Sequence, residues 1–287
     1  MTITQTLCQE FQTAPWQIDA VIRLLDEGCT LPFIARYRKE QHGSLDDQKL
    51  REISERLTAL RALEARRQEI SESLQKLDVW TEKLQSDLDA AATLAQLEDI
   101  YRPYRPKRRT RAIIAREKGL GPLADIILLQ MTKKPLEEEA KAFLSEEKEV
   151  KTVEEAISGA RDIIAEHISD EADYRISIRK RTMDKGTICS TARDEKEQSV
   201  YEMYYDFEEP VKKLAGHRVL ALNRGEKEKF LTVKILAPEE EIIRYLEKQV
   251  IVRDNPYTTP VLKEAIEDSY KRLIGPAIER EIRSALT

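Results

Sequence analysis

From Trp16 onward, apolar residues recur at three- and four-residue spacing through Ile18, Val21, Ile22, Leu24 and Leu25, the stripe of an amphipathic helix. Gly28 interrupts the stripe, and Thr30 with Pro32 opens a second short helix, so residues 1–43 read as a helix-turn-helix-like segment. On that second helix Phe33, Ile34 and Tyr37 read as core, and a DNA-reading version would use Arg36, Arg38 and Lys39. After Gly43, Ser44 is an N-cap candidate, and Asp46 and Asp47 suit the positive end of a helix dipole. Leu50, Ile53, Leu57, Leu60, Leu63, Ile70, Leu74 and Leu77 then mark a long helix of near-heptad spacing. The pattern falters at Arg67, which favours packing within the chain over a homodimeric coiled coil. Thr81 caps a further helix through Leu84, Leu88 and Ala91, and Leu94, Leu97 and Ile100 mark another.

The pattern breaks at Tyr101, where Pro103 and Pro106 exclude helix locally. Thr110 caps a helix carrying Ile113, Ile114 and Ala115, Gly119 ends it and Pro122 starts the next, a second helix-turn-helix-like unit. Residues 133–150 are charged and weakly periodic, whereas Val153, Ala156, Ile157, Ala160, Ile163, Ile164 and Ile168 mark a clear amphipathic helix, with helical character continuing to Lys185. Residues 187–191, 218–223 and 230–236 are β-like, the last two reading as a hairpin about the Asn-Arg-Gly sequence at Asn223. Helices return after Pro238, with Pro260 and Pro276 each at a helix start. The last stripe still runs at Thr287 without a glycine stop, which points to continuation in a longer polypeptide. The fold class read from this pattern is mainly α with a small α+β element, in segments 1–43, 44–185, 186–237 and 238–287.

Composition sharpens the picture. Charged residues make up 35% of the 287 positions and glycine and proline are few (9 and 11), which favours helices with solvated, charge-laced faces. With 48 basic and 53 acidic side chains the net charge is −5, so any attraction to a polyanion must come from a local patch. Cys8, Cys29 and Cys189 have no paired spacing, as fits a reducing compartment. The start, MTITQTLCQEFQT, lacks the basic and apolar regions of a signal peptide, and no apolar run approaches the length of about 18 residues that spans a bilayer. A soluble cytoplasmic protein that does not engage membranes is the expectation.

The sequence has no phosphate-cradling glycine loop, dinucleotide fingerprint, zinc-hydrolase helix, nucleophile elbow or calcium loop. His42, His167 and His217 stand apart without ligand spacing, and the acidic pair Asp46 and Asp47 and the run Glu239–Glu241 sit at helix starts, where dipole complementarity accounts for them. No catalytic residue, metal ligand or cofactor is expected, and the chain reads as a binding part rather than an enzyme. The exception to this blandness is the proline-stiffened stretch from Tyr101, where eight basic residues between Arg102 and Lys118 face the single acid Glu117. Tyr101, Arg102, Tyr104, Arg105, Lys107, Arg108, Arg109 and Arg111 combine phosphate-seeking charge with aromatic faces, the chemistry of a nucleic-acid contact. Pairing of these cations with the protein's own acidic helices, or with an acidic protein partner, is the alternative.

Three strings, LPFIARYRKEQHGSLDDQKLREISERLTALRALEARRQEI, LEDIYRPYRPKRRTRAIIAREKGLGPLA and HRVLALNRGEKEKFLTV, closely resemble the N-terminal region of the Tex-like family of bacterial transcription accessory proteins, over a stretch from Trp16 to Leu286. The resemblance implies a cytoplasmic factor related to a eukaryotic transcription elongation factor and histone chaperone, with an elongated, mostly helical core. It also implies downstream domains absent from these residues: a YqgF-like domain of ribonuclease-H-like fold, a helix-hairpin-helix module and an S1 domain that supplies most of the nucleic-acid binding. Two functions follow as expectations. This region contributes weak RNA or DNA binding to a transcription accessory factor, or it is a helical scaffold that docks on RNA polymerase or related machinery without touching nucleic acid.

Overall fold

The residues before Trp16 also form a helix, with Ile3, Leu7, Cys8 and Phe11 at three- and four-residue spacing on its packed side. In α1 (Ile3–Phe11) the Gln5 amide donates to the Thr2 hydroxyl at 3.2 Å and the Thr2 amide donates to the Gln5 side chain at 2.9 Å, a reciprocal cap that satisfies two otherwise orphaned donors. The structure, a computed structural model, describes residues 2–43 and 45–286. The chain divides into two compact units, 1–98 and 99–287.

In the first unit, α2 (Pro15–Asp26) and α3 (Leu31–Tyr37) are joined through Gly28, whose φ of 81° is a backbone conformation that favours glycine. A short α4 (Lys39–His42) leads to the 30-residue α5 (Asp47–Lys76). The cap of α5 is Asp46, which accepts the Lys49 amide at 2.7 Å, and Ser44 lies outside the described residues. Leu7, Ile18, Val21, Leu24, Ile34, Leu50, Ile53 and Leu57 close the core of this unit. The stripe of α5 stays buried from Leu50 to Leu74, whereas Leu77 is half-exposed. Its break at Arg67 has a local cause: the guanidinium donates to the Leu88 and Ala91 carbonyls at 3.0 and 2.9 Å, satisfying the last carbonyls of α6 (Glu82–Ala90).

In the second unit, which takes up the end of α7 (Leu94–Tyr101), α8 (Arg111–Glu117), α9 (Gly121–Leu129) and α10 (Leu136–Lys141) pack on α11 (Val153–Asp170). The predicted stripe of α11 is the buried one, with Ala156, Ala160, Ile164 and Ile168 at most 1% exposed. Gly159 permits close approach, since a Cβ there would stand 2.3 Å from Leu120 Cδ1. Then α12 (Ala172–Lys185) runs into a three-stranded antiparallel sheet of β1 (Thr187–Ala192), β2 (Asp206–Pro210) and β3 (Leu231–Leu236) in the order β2-β1-β3.

The sheet corrects the expected hairpin. Residues 218–223 lie inside α13 (Gly216–Lys227), where Val219, Leu222 and Gly225 form a buried face at three-residue spacing. Gly225 is not a turn glycine but a contact point, because a Cβ there would stand 2.6 Å from Leu231 Cδ1. The unforeseen strand β2 pairs Phe207 with Ser190 and Glu209 with Ile188. The outer edge of β3 is closed by side chains: the Ile235 amide donates to Glu279 at 2.9 Å, the Val233 amide to Glu226 at 3.4 Å, and Arg283 donates to the Val233 carbonyl at 3.3 Å. After α14 (Glu239–Val250), α15 (Thr259–Asp268) passes through a π-helical stretch, Ser269–Ile274, directly into α16 (Gly275–Leu286), so Pro276 falls within a continuous run instead of opening a separate helix. Among the described residues, no helix is long and apolar enough to cross a membrane.

A buried ionic quartet ties three of these elements. Arg175 of α12 has no exposure, and its Nε donates to Asp99 at 2.5 Å and its Nη2 to Glu281 of α16 at 2.7 Å. Arg179, one turn on, donates to the same two carboxylates at 2.8 and 2.6 Å. Removing one member leaves an uncompensated buried charge, so Asp99→Ala is expected to cost about 3–5 kcal/mol. Urea denaturation checks this, and an unchanged midpoint would count against a stabilising role for the quartet.

Candidate nucleic-acid interface

The basic stretch is folded down onto an acidic face of α11. After α7, the Tyr104 and Arg105 amides both donate to the Tyr101 carbonyl at 3.0 and 3.1 Å, a last turn that Pro106 prevents from continuing. Thr110 caps α8 by accepting the Ile113 amide at 3.1 Å. Between these fixed ends, Lys107 forms an ion pair with Asp170 and lies 3.5 Å from Glu166. Arg116 reaches Glu166 at 2.9 Å and Arg102 reaches Asp170 at 3.5 Å. Both acids are themselves largely covered, with side chains 9% and 15% exposed.

The two acids respond in opposite directions. Burial pushes the Glu166 carboxyl up, but the Thr110 hydroxyl, Lys107 and Arg116 outweigh it and hold the group below the usual carboxylate range. At Asp170 burial prevails over Lys107 and the carboxyl is raised, with the neighbouring Glu166 charge adding to the rise. Arg102 is lowered by burial and by the Arg175 charge behind it. Such a guanidinium is engaged inward.

The predicted residues therefore separate into two groups. Tyr101 is buried, Tyr104 is half-buried, and Arg102 and Lys107 serve as anchors. Arg105, Arg108, Arg109 and Arg111 stand exposed. Arg109 makes an ion pair with Glu117 at 3.0 Å with its own side chain 71% exposed, a geometry worth little in water. Among the described residues, Arg105, Arg108 and Arg111 make no ion pair; burial raises the Asp162 carboxyl, and the charges of Arg272 and then Arg111 oppose that rise without overcoming it. Sequence reasoning missed Glu166 and Asp170. Their spacing of four residues was the available signal, but it was masked by the charge-rich composition of every helix face.

The other predicted group lies in the first unit. Ile34 of α3 is buried, but Phe33 and Tyr37, expected in the core, are 36% and 62% exposed, which corrects that assignment. Ile34 and Ala35 take the inward side of this two-turn helix, so positions 33 and 37, one turn apart, face outward. Arg36 and Lys39 are exposed, and Arg38 lies with its guanidinium 4.9 Å from the centroid of the Phe33 ring. His42 is buried: the Leu45 amide donates to its Nδ1 at 3.2 Å, so its Nε2 carries the proton and donates to the Ile34 carbonyl at 3.2 Å. Among the described residues, no group of three or more His, Cys, Asp or Glu side chains is arranged to hold a metal ion.

A mainly α protein with a small antiparallel sheet, carrying exposed basic side chains in each of its two units, is the class these features define. Residues 1–75 match the family model described as the Tex-like protein N-terminal domain and residues 130–287 the one described as Tex central region-like; the chain belongs to the Tex-like family. It is 48% identical to the uncharacterized protein YdcI of Bacillus subtilis over 99% of its own length and 40% of that protein's. To the transcriptional accessory protein Tex of Neisseria gonorrhoeae it is 39% identical over 82% of the chain and 31% of the relative. To S1 RNA-binding domain-containing protein 1 of Homo sapiens it is 29% identical over 99% of the chain and 30% of the relative. The chain thus spans well under half the length of these relatives. The exposed arginines lie in residues 76–129, between the two matched regions.

The anchor at Lys107 has a pH signature. Without the ammonium, both carboxyls shift upward in the folded state, which is destabilising only while they are ionised. Lys107→Met is expected to cost about 1–3 kcal/mol at neutral pH, and the cost should shrink as pH falls through the carboxylate range and both groups protonate. Urea denaturation of both proteins at several pH values checks this; a cost independent of pH would show that Lys107 does not act through these acids.

Proposed function

We propose that this region is a nucleic-acid-contacting part of a cytoplasmic transcription accessory factor, a binding and not a catalytic element. In this reading Arg105, Arg108, Arg109 and Arg111 meet phosphates, and Arg102 and Lys107 hold the segment that presents them. The observation that carries it is the division of labour in the basic stretch: some cations are neutralised by Glu166 and Asp170, whereas Arg105, Arg108, Arg109 and Arg111 stand exposed, Arg109 in a weak solvent-exposed pair with Glu117. A proline-stiffened segment pinned at Lys107 and capped at Thr110 offers those guanidinium groups with little left to order on binding. The names of two relatives, a transcriptional accessory protein and an S1 RNA-binding domain-containing protein, support the same direction. With an overall charge of −5, contact is confined to the patch and affinity is modest.

Phosphate contacts release counterions, so binding weakens as salt rises. Replacing Arg105, Arg108, Arg109 and Arg111 together with alanine is expected to weaken RNA or DNA binding and to reduce the slope of log affinity against log salt by about 3. Anisotropy titrations across a sodium chloride series check this; unchanged affinity and slope reject the site. A second reading, docking on RNA polymerase or associated proteins, draws on the same exposed guanidinium groups, which suit an acidic protein surface equally well. Capture of polymerase from a nuclease-treated bacterial lysate, lost in the same fourfold variant, would favour it.

A further inference from the structure

The outward face of α3 combines features that neither its packing nor the basic stretch accounts for. Phe33 and Tyr37 are one helical turn apart with ring centroids 5.4 Å from each other, and both are substantially exposed. Exposing two adjacent rings forgoes apolar burial that a purely structural helix would be expected to recover. Arg38 lies over the Phe33 ring, Arg36 is exposed on the same helix and Lys39 is exposed at the start of α4, and among the described residues none of the three forms an ion pair with a carboxylate. The support beneath is rigid. Ile34 and Ala35 are buried in the core, the Ile34 carbonyl is held by His42, and the His42 carbonyl accepts the Gln17 amide at 3.1 Å.

We infer that this face of α3 is a stacking platform for single-stranded nucleic acid: Tyr37 and Phe33 take the faces of unpaired bases, and Arg36, Arg38 and Lys39 take the adjoining phosphates. The charge selects a polyanion, and the rings select one with accessible π-faces. A duplex is a poor match, because its bases are already stacked and offer only edges in the grooves. The helix is also ill-suited to reading a major groove, since Arg36 and the Tyr37 hydroxyl are the polar side-chain groups that its two turns expose, and they supply few base-edge hydrogen bonds. The platform thus differs both in place and in ligand from a helix-turn-helix reading of the same segment. It stands independently of the arginines at 105–111.

The test is anisotropy titration of the full chain with labelled oligouridylate of about 12 nucleotides and with a blunt duplex of equal length. Tyr37→Ala is expected to weaken oligouridylate binding by about fivefold or more while changing duplex binding by less than about twofold. Tyr37→Phe, which keeps the ring, recovers the affinity that Tyr37→Ala loses, and Tyr37→Leu does not. Because Tyr37 is well exposed, a circular dichroism melt is expected to match that of the parent; Phe33→Ala provides a second probe of the same platform. Repeating Tyr37→Ala on the fourfold arginine variant separates the two sites. A further loss there supports the platform even if the 105–111 contact fails, and a fourfold variant with no residual oligouridylate binding overturns the platform while leaving that contact standing. Unchanged affinity in Tyr37→Ala, an equal loss for single strand and duplex, or a parent chain that binds peptide but no oligouridylate also overturns it.

Discussion

The second unit is built around a charge that has nowhere to go. Arg175 is fully enclosed, so α12 can be buried only if carboxylates come in to meet its guanidinium. Asp99 arrives from α7 and Glu281 from α16, elements separated by most of the length of the unit, and Arg179 completes the set. A requirement of this kind discriminates among packings more sharply than apolar contact, since an alternative arrangement that buries α12 without both acids is heavily penalised. It also conditions the basic stretch after α7. Arg102 feels the Arg175 charge, and with its own charge partly desolvated it reaches Asp170.

Opposed charges are used differently in the two basic regions. In the stretch after α7, some cations are consumed in fixing the backbone, and those that remain outward owe their placement to that fixing. In α3 the support is neutral, supplied by Ile34, Ala35 and a histidine whose two ring nitrogens are both engaged by backbone groups. Among the described residues, no carboxylate forms an ion pair with Arg36, Arg38 or Lys39 there. Each surface separates the groups that hold from the groups that offer, a distinction invisible in a count of arginines.

Much of the helical frame was legible because its apolar spacing is regular: α2, α5, α11 and α12 follow their stripes, and Thr81, Thr110, Gly28 and Gly119 punctuate as their chemistry dictates. Legibility failed where tertiary contact decides. Val219 and Leu222 alternate with apolar neighbours and suggest a strand, but Gly225 turns the same residues into a helix face by admitting Leu231. The strand β2, Asp-Phe-Glu-Glu-Pro, has the composition of a loop because an edge strand needs little apolar surface. The sequence also placed Phe33 and Tyr37 inside, since aromatic residues at helical spacing ordinarily pack; only the positions of Ile34 and Ala35 reveal that the inward side was already taken. The basic stretch was recognisable as a cluster, but which of its members were anchors depended on two acids about 50 and 63 residues further along.

The closure of β3 by α16 and α13 reaches beyond the packing of one chain. With its Val233 and Ile235 donors and its Val233 acceptor already engaged by Glu226, Glu279 and Arg283, that border offers a foreign strand no free hydrogen-bonding register. Growth of the sheet would have to begin at β2, where Asp206 and Glu208 would bring like charges together between copies. The small β element is thereby guarded against fibrillar self-association at both borders, by engaged hydrogen bonds on one and by electrostatic repulsion on the other.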